Sequence, residues 1–349
     1  MKLNSYHVVY IPNTIYQFSV VLPSSVDPRI YGLLQPDVFE DFPTVDDVTF
    51  KIPHNIHQTA PSTCITQDAV KYVSSFVINN PHWNYYFWLD KSVRHLIERR
   101  HPYLLAIWDN VDKGIKRSDI LRYVVLYEYG GVYADVDFEN FKPLDRVTKK
   151  FHCIIPTEPL EHSAFLYRRP FVINNGIILC VKGHPFLKHL LENLKYTIND
   201  DVMSATGPIF ITKQLIKYNY NLYKKEQEGT SEDFINLQRS GVHDDRDSRA
   251  VHVPNTHYFT DNIDVRTAEG LFQHICKKFW SQSELQQRTC IDLAHKGLYR
   301  VNTKFVYTKR YWVHSWSSSR VINIYRALFK RECVEITEIV FKDQLIQYM

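Results

Sequence analysis

Residues 127–141 read YEYGGVYADVDFENF, and how this stretch is read decides the fold. Gly130 and Gly131 stand between two apolar segments, which predicts a helix stop followed by a turn into a β-strand. Side chains alternate along a strand with period two, so Asp135 and Asp137 are expected on the same side of the sheet, about 7 Å apart at the backbone. Like charges so placed are unfavourable unless water or a cation neutralises them. The pair therefore marks a strand end that is either solvated or built to hold positive charge.

Working upstream, RSDILRYVVLYEYGG (117–131) predicts a helix with Ser118 as N-cap. Asp119 and Arg122 lie three apart on one face of it, and Ile120, Leu121, Val124, Val125 and Leu126 make the rest apolar. Burying this charged pair is costly unless the pair has a ligand role. From Lys51 the pattern alternates: a strand around IPHNIHQ (52–58), a helix through QDAVKYVSSFVINN (67–80), a strand at YYFWL (85–89) and a helix at SVRHLIERRHP (92–102). Downstream, FVINNGIILCV (171–181) reads as a buried strand. HPFLKHLLENLKYTI (184–198) reads as a helix with Pro185 at its first position. The alternation predicts an α/β domain on a mostly parallel sheet, with ligands at the carboxyl ends of its strands.

The 349 residues, 44% apolar and 14% aromatic, suffice for a full core. The charge of +4 is spread along the chain without a basic block, which argues against nucleic acid as a partner. Cys64, Cys153, Cys180, Cys276, Cys290 and Cys333 show no CxxC spacing, so most are expected as reduced core residues, Cys180 above all, with long-range disulfides left open as the alternative. No Asn-x-Ser/Thr acceptor and no apolar run of about 18 residues occurs. His7, Asn13 and Gln17 interrupt the apolar N-terminus, leaving no obvious membrane anchor. The expected organisation is an extension over 1–50, a catalytic domain over 51–325 with a polar insertion at about 222–250, and a tail over 326–349.

The run IKRSDILRYVVLYEYGGVYADVDFENFKPLD (115–145) resembles the signature of glycosyltransferase family 32, the DxD sugar transferases. The shared features are Ser118, Asp119, Arg122 and Tyr123, then GGVY, the DxD and KPLD. IPHNIHQ, HWNYYFWLD, NNGIILCVKGHPFL, ATGPIF (205–210) and YWVHSW (311–316) follow the family's order, so the resemblance covers about residues 51–320. It implies a GT-A fold with a Rossmann-like nucleotide-sugar-binding domain. It further implies a retaining hexosyltransferase that uses a UDP- or GDP-sugar, Mn²⁺ or Mg²⁺, and a glycan, glycolipid or protein acceptor.

By resemblance, Asp137 ligates the metal, Asp135 reaches the ribose and the metal shell, and both are catalytic. Asp119 and Arg122 bind the donor sugar. His314 completes the metal shell or contacts the diphosphate. His57, Gln58 and Tyr133 serve the nucleotide side, with Tyr133 holding the aspartates, while Asn175 and Gly207 line the acceptor side. Bland alternatives stand beside these roles: a helix-surface ion pair for Asp119 and Arg122, a turn for Asn175, and packed side chains for His57, Gln58 and His314.

Two departures from the family pattern stand out. Ala60 and Pro61 follow Thr59 where a tryptophan is frequent, and Ser315 stands where the family has a second histidine. The second favours an alternative, a non-catalytic sugar-nucleotide or glycan-binding protein that keeps the fold. A haloacid-dehalogenase phosphatase also uses a DxD, but in the first strand of its domain, whereas Asp137 follows several α/β elements. A soluble cytoplasmic location is expected, with a Golgi or membrane-associated setting as the alternative.

Overall fold

The computed structural model of the protein describes residues 6–7, 22–23, 42, 49–223, 247–297, 305–312, 333–340 and 345–346. Most of the 1–50 extension, residues 224–246 of the polar insertion, His314 and most of the C-terminal tail lie outside the described residues.

The described residues form two compact units. The larger comprises the described parts of Glu40–Pro156, Ile173–Asn255 and Tyr307–Met349, and the smaller contains Thr157–Val172 and Thr256–Val306. The smaller unit has its own core: Phe165 meets Phe272 at 4.8 Å between ring centres, beside buried Ala164, Phe279 and Leu293. The apolar faces of its segments are buried in this second cluster.

The larger unit is built on a sheet of six strands: β1 (Asn55–Thr59), β2 (Asn84–Trp88), β3 (Gly131–Ala134), β4 (Cys153–Ile154), β5 (Ile177–Cys180) and β6 (Leu345–Ile346). Their order is β6-β2-β1-β3-β5-β4. The strands β6, β2, β1 and β3 run parallel, and β5 is antiparallel to both its neighbours, so the sheet is mixed. This is an α/β fold of the expected class. The chain leaves β1 on one side to make β2 and returns on the other to make β3, so the direction of winding reverses between β1 and β3. Ligands of open α/β sheets bind at such a reversal, beyond the carboxyl ends of the strands.

The helices follow the expected pattern with shifted ends. Helix α1 is Gln67–Asn79, α2 is Asp90–Arg100 and α3 is Gly114–Tyr129. Ser118 is not the N-cap of α3: the helix starts a turn earlier, and the Ser118 hydroxyl donates to the Gly114 carbonyl of that turn at 3.3 Å. Ile120, Leu121, Val124, Val125 and Leu126 are all fully buried, and Asp119, Arg122 and Tyr123 are buried with them, so the middle of the helix is enclosed by the core. Helix α4 (Pro185–Asn193) has Pro185 at its start and buries Phe186, Leu187, Leu190 and Leu191. Each such side chain contributes about 1.5–3 kcal/mol on leaving water.

The double glycine makes the passage from α3 into β3 possible. Gly130 and Gly131 have φ of 63° and 113°. A Cβ on Gly130 would lie 2.5 Å from the Lys182 amide nitrogen, and one on Gly131 would lie 2.3 Å from the Asn55 carbonyl oxygen. Strand β1 in turn caps the helix: Asn55 Nδ2 donates to the Tyr129 carbonyl at 3.2 Å, and His57 Nε2 donates to the Gly130 carbonyl at 2.8 Å. Alternate residues of one strand thus satisfy carbonyls left over at the helix end.

The cysteines correct the expectation of reduced core thiols. Cys180 is bonded to Cys153, its partner on the neighbouring strand, Cys276 is bonded to Cys290, and Cys64 is also disulfide-bonded. Spacing did not reveal these pairs because sheet register and helix packing bring them together. Among the described residues, no helix is long and apolar enough to cross a membrane.

Candidate active site

The two aspartates do not share a strand, contrary to the period-two reading. Strand β3 ends at Ala134, and Asp135 and Asp137 flank a tight turn closed by the Phe138 amide on the Asp135 carbonyl at 3.0 Å. Beyond the turn, Phe138–Asn140 pairs antiparallel with Thr308–Arg310, with Phe138 opposite Arg310. The next amide, that of Tyr311, donates to the Asp137 carbonyl at 2.8 Å. A segment about 170 residues downstream therefore closes over the turn, and Arg310 is the residue it delivers.

Arg310 was not singled out in the sequence. Its Nη2 donates to Asp135 Oδ2 at 2.9 Å and its Nε lies 3.4 Å from both oxygens of Asp137. The guanidinium also lies over the rings of Phe138 and Trp312, at 5.4 and 4.6 Å. The other Asp135 oxygen faces inward: Oδ1 accepts from the Tyr133 hydroxyl at 2.9 Å and from Arg122 Nη2 at 3.2 Å. One carboxylate thus bridges a buried guanidinium and a partly exposed one.

Asp119 and Arg122 meet as the helical spacing predicted, with Nη1 3.0 Å from Asp119 Oδ1. They form no surface ion pair, since their side chains are only 4% and 2% exposed. Asn175 joins them by donating its amide to Asp119 Oδ1 at 2.9 Å and by accepting Arg122 Nη1 on its carbonyl at 2.6 Å. Thr206, the residue before Gly207, donates to Asp119 Oδ2 at 2.7 Å and takes the Tyr123 hydroxyl on its carbonyl at 2.7 Å. Gly207 contributes backbone, with its amide on the Val202 carbonyl at 3.1 Å. Thr206 was also not singled out, and its position inside ATGPIF is the only sequence signal for it.

Burial raises the Asp119 pKa, and Arg122 pulls against that rise. For Arg122, burial opposes the charge, but Asp135, Tyr133 and Asp119 outweigh it, so the guanidinium is held charged even more firmly than in water. The phenol of Tyr133 is pushed well up, first by burial, so it remains a donor to Asp135.

His57 and Gln58 lie at the carboxyl end of β1 but point inward, and both are fully buried. Trp88 Nε1 donates to His57 Nδ1 at 3.0 Å, so His57 carries its proton on Nε2, where the Gly130 carbonyl takes it. Burial pushes the ring down to a pKa of about 4, against the pull of the Gly130 bond. No ring nitrogen remains for a nucleotide base in this arrangement. Gln58 accepts the Tyr85 hydroxyl and lies 3.5 Å from the Asp135 carbonyl, so it props the turn from beneath.

The guanidinium between the aspartates tests whether a metal fits. It stands in for a cation, because Asp135 and Asp137 converge on one seat for positive charge. Two carboxylates on such a seat suit a hard divalent ion, with the remaining ligands supplied by water or a diphosphate. Among the described residues no group of three or more His, Cys, Asp and Glu converges.

Residues 66–153 match the family described as the glycosyltransferase sugar-binding region containing a DXD motif. The chain is 34% identical over 169 residues to inositol phosphoceramide mannosyltransferase 3 of Schizosaccharomyces pombe, covering 46% of this chain and 44% of that one. It is 26% identical over 233 residues to mannosyl phosphorylinositol ceramide synthase SUR1 of Saccharomyces cerevisiae, covering 64% and 56%. The chain thus spans about half the length of these curated relatives. Among solved structures, the PaToxG glycosyltransferase aligns with a TM-score of 0.39 at 21% identity, over 54% of this chain and 74% of that one.

Proposed function

We propose, from the match of residues 66–153 to the DXD-containing glycosyltransferase sugar-binding region, that this chain is a retaining hexosyltransferase. It moves a hexose or N-acetylhexosamine from a UDP- or GDP-sugar to an acceptor hydroxyl. The mannosyltransferase relatives favour mannose as the sugar and an inositol phosphoceramide glycolipid as the acceptor. The observation that carries the reading is the convergence of Asp135 and Asp137 with the Asp119–Arg122 pair at the winding reversal of the sheet.

In this reading Asp119, held by Asn175 and Thr206, and Arg122 orient the sugar. Asp135 and Asp137 hold the cation, Mn²⁺ or Mg²⁺, which supplies Lewis-acid stabilisation for the charge developing on the diphosphate. The bond from the sugar C1 to the phosphate oxygen breaks as the acceptor oxygen bonds C1 on the same face, and the acceptor proton passes to the departing phosphate. No carboxylate of this chain is assigned as a nucleophile, so a glycosyl-enzyme adduct in a mass spectrum would overturn the same-face route. The disulfides of Cys64, Cys153, Cys180, Cys276 and Cys290 support work in an oxidising compartment, the Golgi-type setting, over a cytoplasmic one.

The test is donor hydrolysis by the purified chain, with GDP-mannose, UDP-galactose and UDP-N-acetylglucosamine, in Mn²⁺ or in EDTA, beside Asp137→Asn. Release of one sugar that needs both the cation and Asp137 is the expected result. No release from any donor, with or without an inositol phosphoceramide acceptor, overturns the reading.

A further inference from the structure

The positive group seated between the aspartates belongs to the protein itself. We propose that Arg310 is a built-in counter-ion of the DxD, which holds Asp135 and Asp137 together before donor arrives and competes with the divalent cation for their oxygens. The proposal rests on the transferase reading for the identity of the competing ion and makes Arg310 a positioning residue.

Four observations support it. First, Arg310 engages both carboxylates at once, at 2.9 Å on Asp135 and 3.4 Å on Asp137. Second, it takes the oxygen of Asp135 that an incoming ion needs, because Oδ1 is already held from inside by Tyr133 and Arg122. Third, its backbone is fixed by pairing with Phe138 and its guanidinium is flanked by the Phe138 and Trp312 rings, so its approach is built into the fold. Fourth, Gly176 leaves the room it needs: a Cβ there would lie 2.9 Å from Arg310 Nη1 and 2.9 Å from Asp135 Oδ2.

The physical consequence is antagonism. A divalent ion arriving within about 4 Å of an intact guanidinium meets a repulsion of several kcal/mol at the effective dielectric of a protein surface. Arg310 must therefore give up at least one aspartate as the ion enters. Once displaced, the guanidinium would still lie close to the aspartates, and its planar fork suits the oxygens of a diphosphate carried by the ion. Arg310 then opposes the bare ion more than the ion that arrives with a nucleotide diphosphate.

The test measures Mn²⁺ binding to the full chain from the electron paramagnetic resonance signal of unbound Mn²⁺, alone and with UDP or GDP, with no turnover required. Arg310→Gln should bind Mn²⁺ at least tenfold more tightly than the parent when no nucleotide is present, and the gain should shrink with the diphosphate. Arg310→Lys, which keeps one charge but cannot bridge both carboxylates, should fall between the two, and it serves alone if the Gln variant does not fold. Equal or weaker Mn²⁺ binding in the variants overturns the proposal, as does absence of Mn²⁺ binding in parent and variants alike. Tightened Mn²⁺ binding in a chain that hydrolyses no donor would leave Arg310's role standing while the transferase reading fails. Metal-dependent hydrolysis with unchanged Mn²⁺ affinity would do the reverse.

Discussion

Arg122 Nη2 donates to Asp135 Oδ1 at 3.2 Å from within the core, tying helix α3 to the turn that carries the DxD. The same guanidinium grips Asp119 of its own helix and the Asn175 carbonyl, so one residue joins three segments of the candidate site. Asp135 is thereby tied to the buried Arg122 and Tyr133 donors as well as to Arg310, whereas the side-chain contact of Asp137 described above is to Arg310.

That difference separates two conservative variants. Asp137→Asn should lose donor hydrolysis by about a hundredfold or more while unfolding near the parental temperature. Asp135→Asn should lose activity and also about 2–4 kcal/mol of stability, because it weakens the acceptor for the buried Arg122 and Tyr133 donors. Hydrolysis rates and urea unfolding of the two proteins check this, and equal stability would argue that the interior bonds of Asp135 contribute little.

Two glycines with left-handed φ should respond differently to alanine. A Cβ on Gly131 would sit 2.3 Å from the Asn55 carbonyl, whereas one on Gly183, φ 71°, would meet nothing within 4 Å. Gly183→Ala should cost only the backbone strain, about 1–2 kcal/mol. Gly131→Ala should cost more than about 4 kcal/mol or prevent folding, since β1 and β3 must separate to admit the methyl group. Denaturant midpoints measure the ratio.

The buried His57 makes the fold acid-sensitive. Its ring is held down to about 4 in the folded chain against 6.5 when exposed. Between those values the unfolded chain binds a proton that the folded chain refuses, so stability is full above pH 6.5 and falls as pH drops towards 4. The difference of 6.5 − 4, or 2.5 units, corresponds to about 3 kcal/mol once pH is below both values. His184, also held down to about 4 by burial, adds to the slope. Thermal midpoints between pH 7 and 4 should fall steeply for the parent and less steeply for His57→Gln.

In the smaller unit, the Cys276–Cys290 bond closes a short loop, with a sequence separation of 14. Replacing both cysteines by serine should cost about 3 kcal/mol by the loop-entropy estimate. Calorimetry with and without reductant should show the parent losing this amount in addition to what the other disulfides supply, whereas the double variant loses only the latter.

The sequence by itself determined most of the local elements around the central motif. The apolar stripe of α4, the Gly130–Gly131 stop and the i, i+3 meeting of Asp119 and Arg122 were legible, because each depends on periodicity within a few residues. The α/β class was legible for the same reason. Tertiary structure decided the rest. Arg310 reaches the aspartates through a strand pairing across some 170 residues, Thr206 reaches Asp119 across 87, and the Cys153–Cys180 pair depends on sheet register. His57 looked equally suited to a base or to the interior, and the C-terminal end of α3, with carbonyls to satisfy, gave it an inward place. Contacts between distant segments leave no periodic trace in a single chain, because what selects them is the packing and hydrogen-bond satisfaction of the assembled fold.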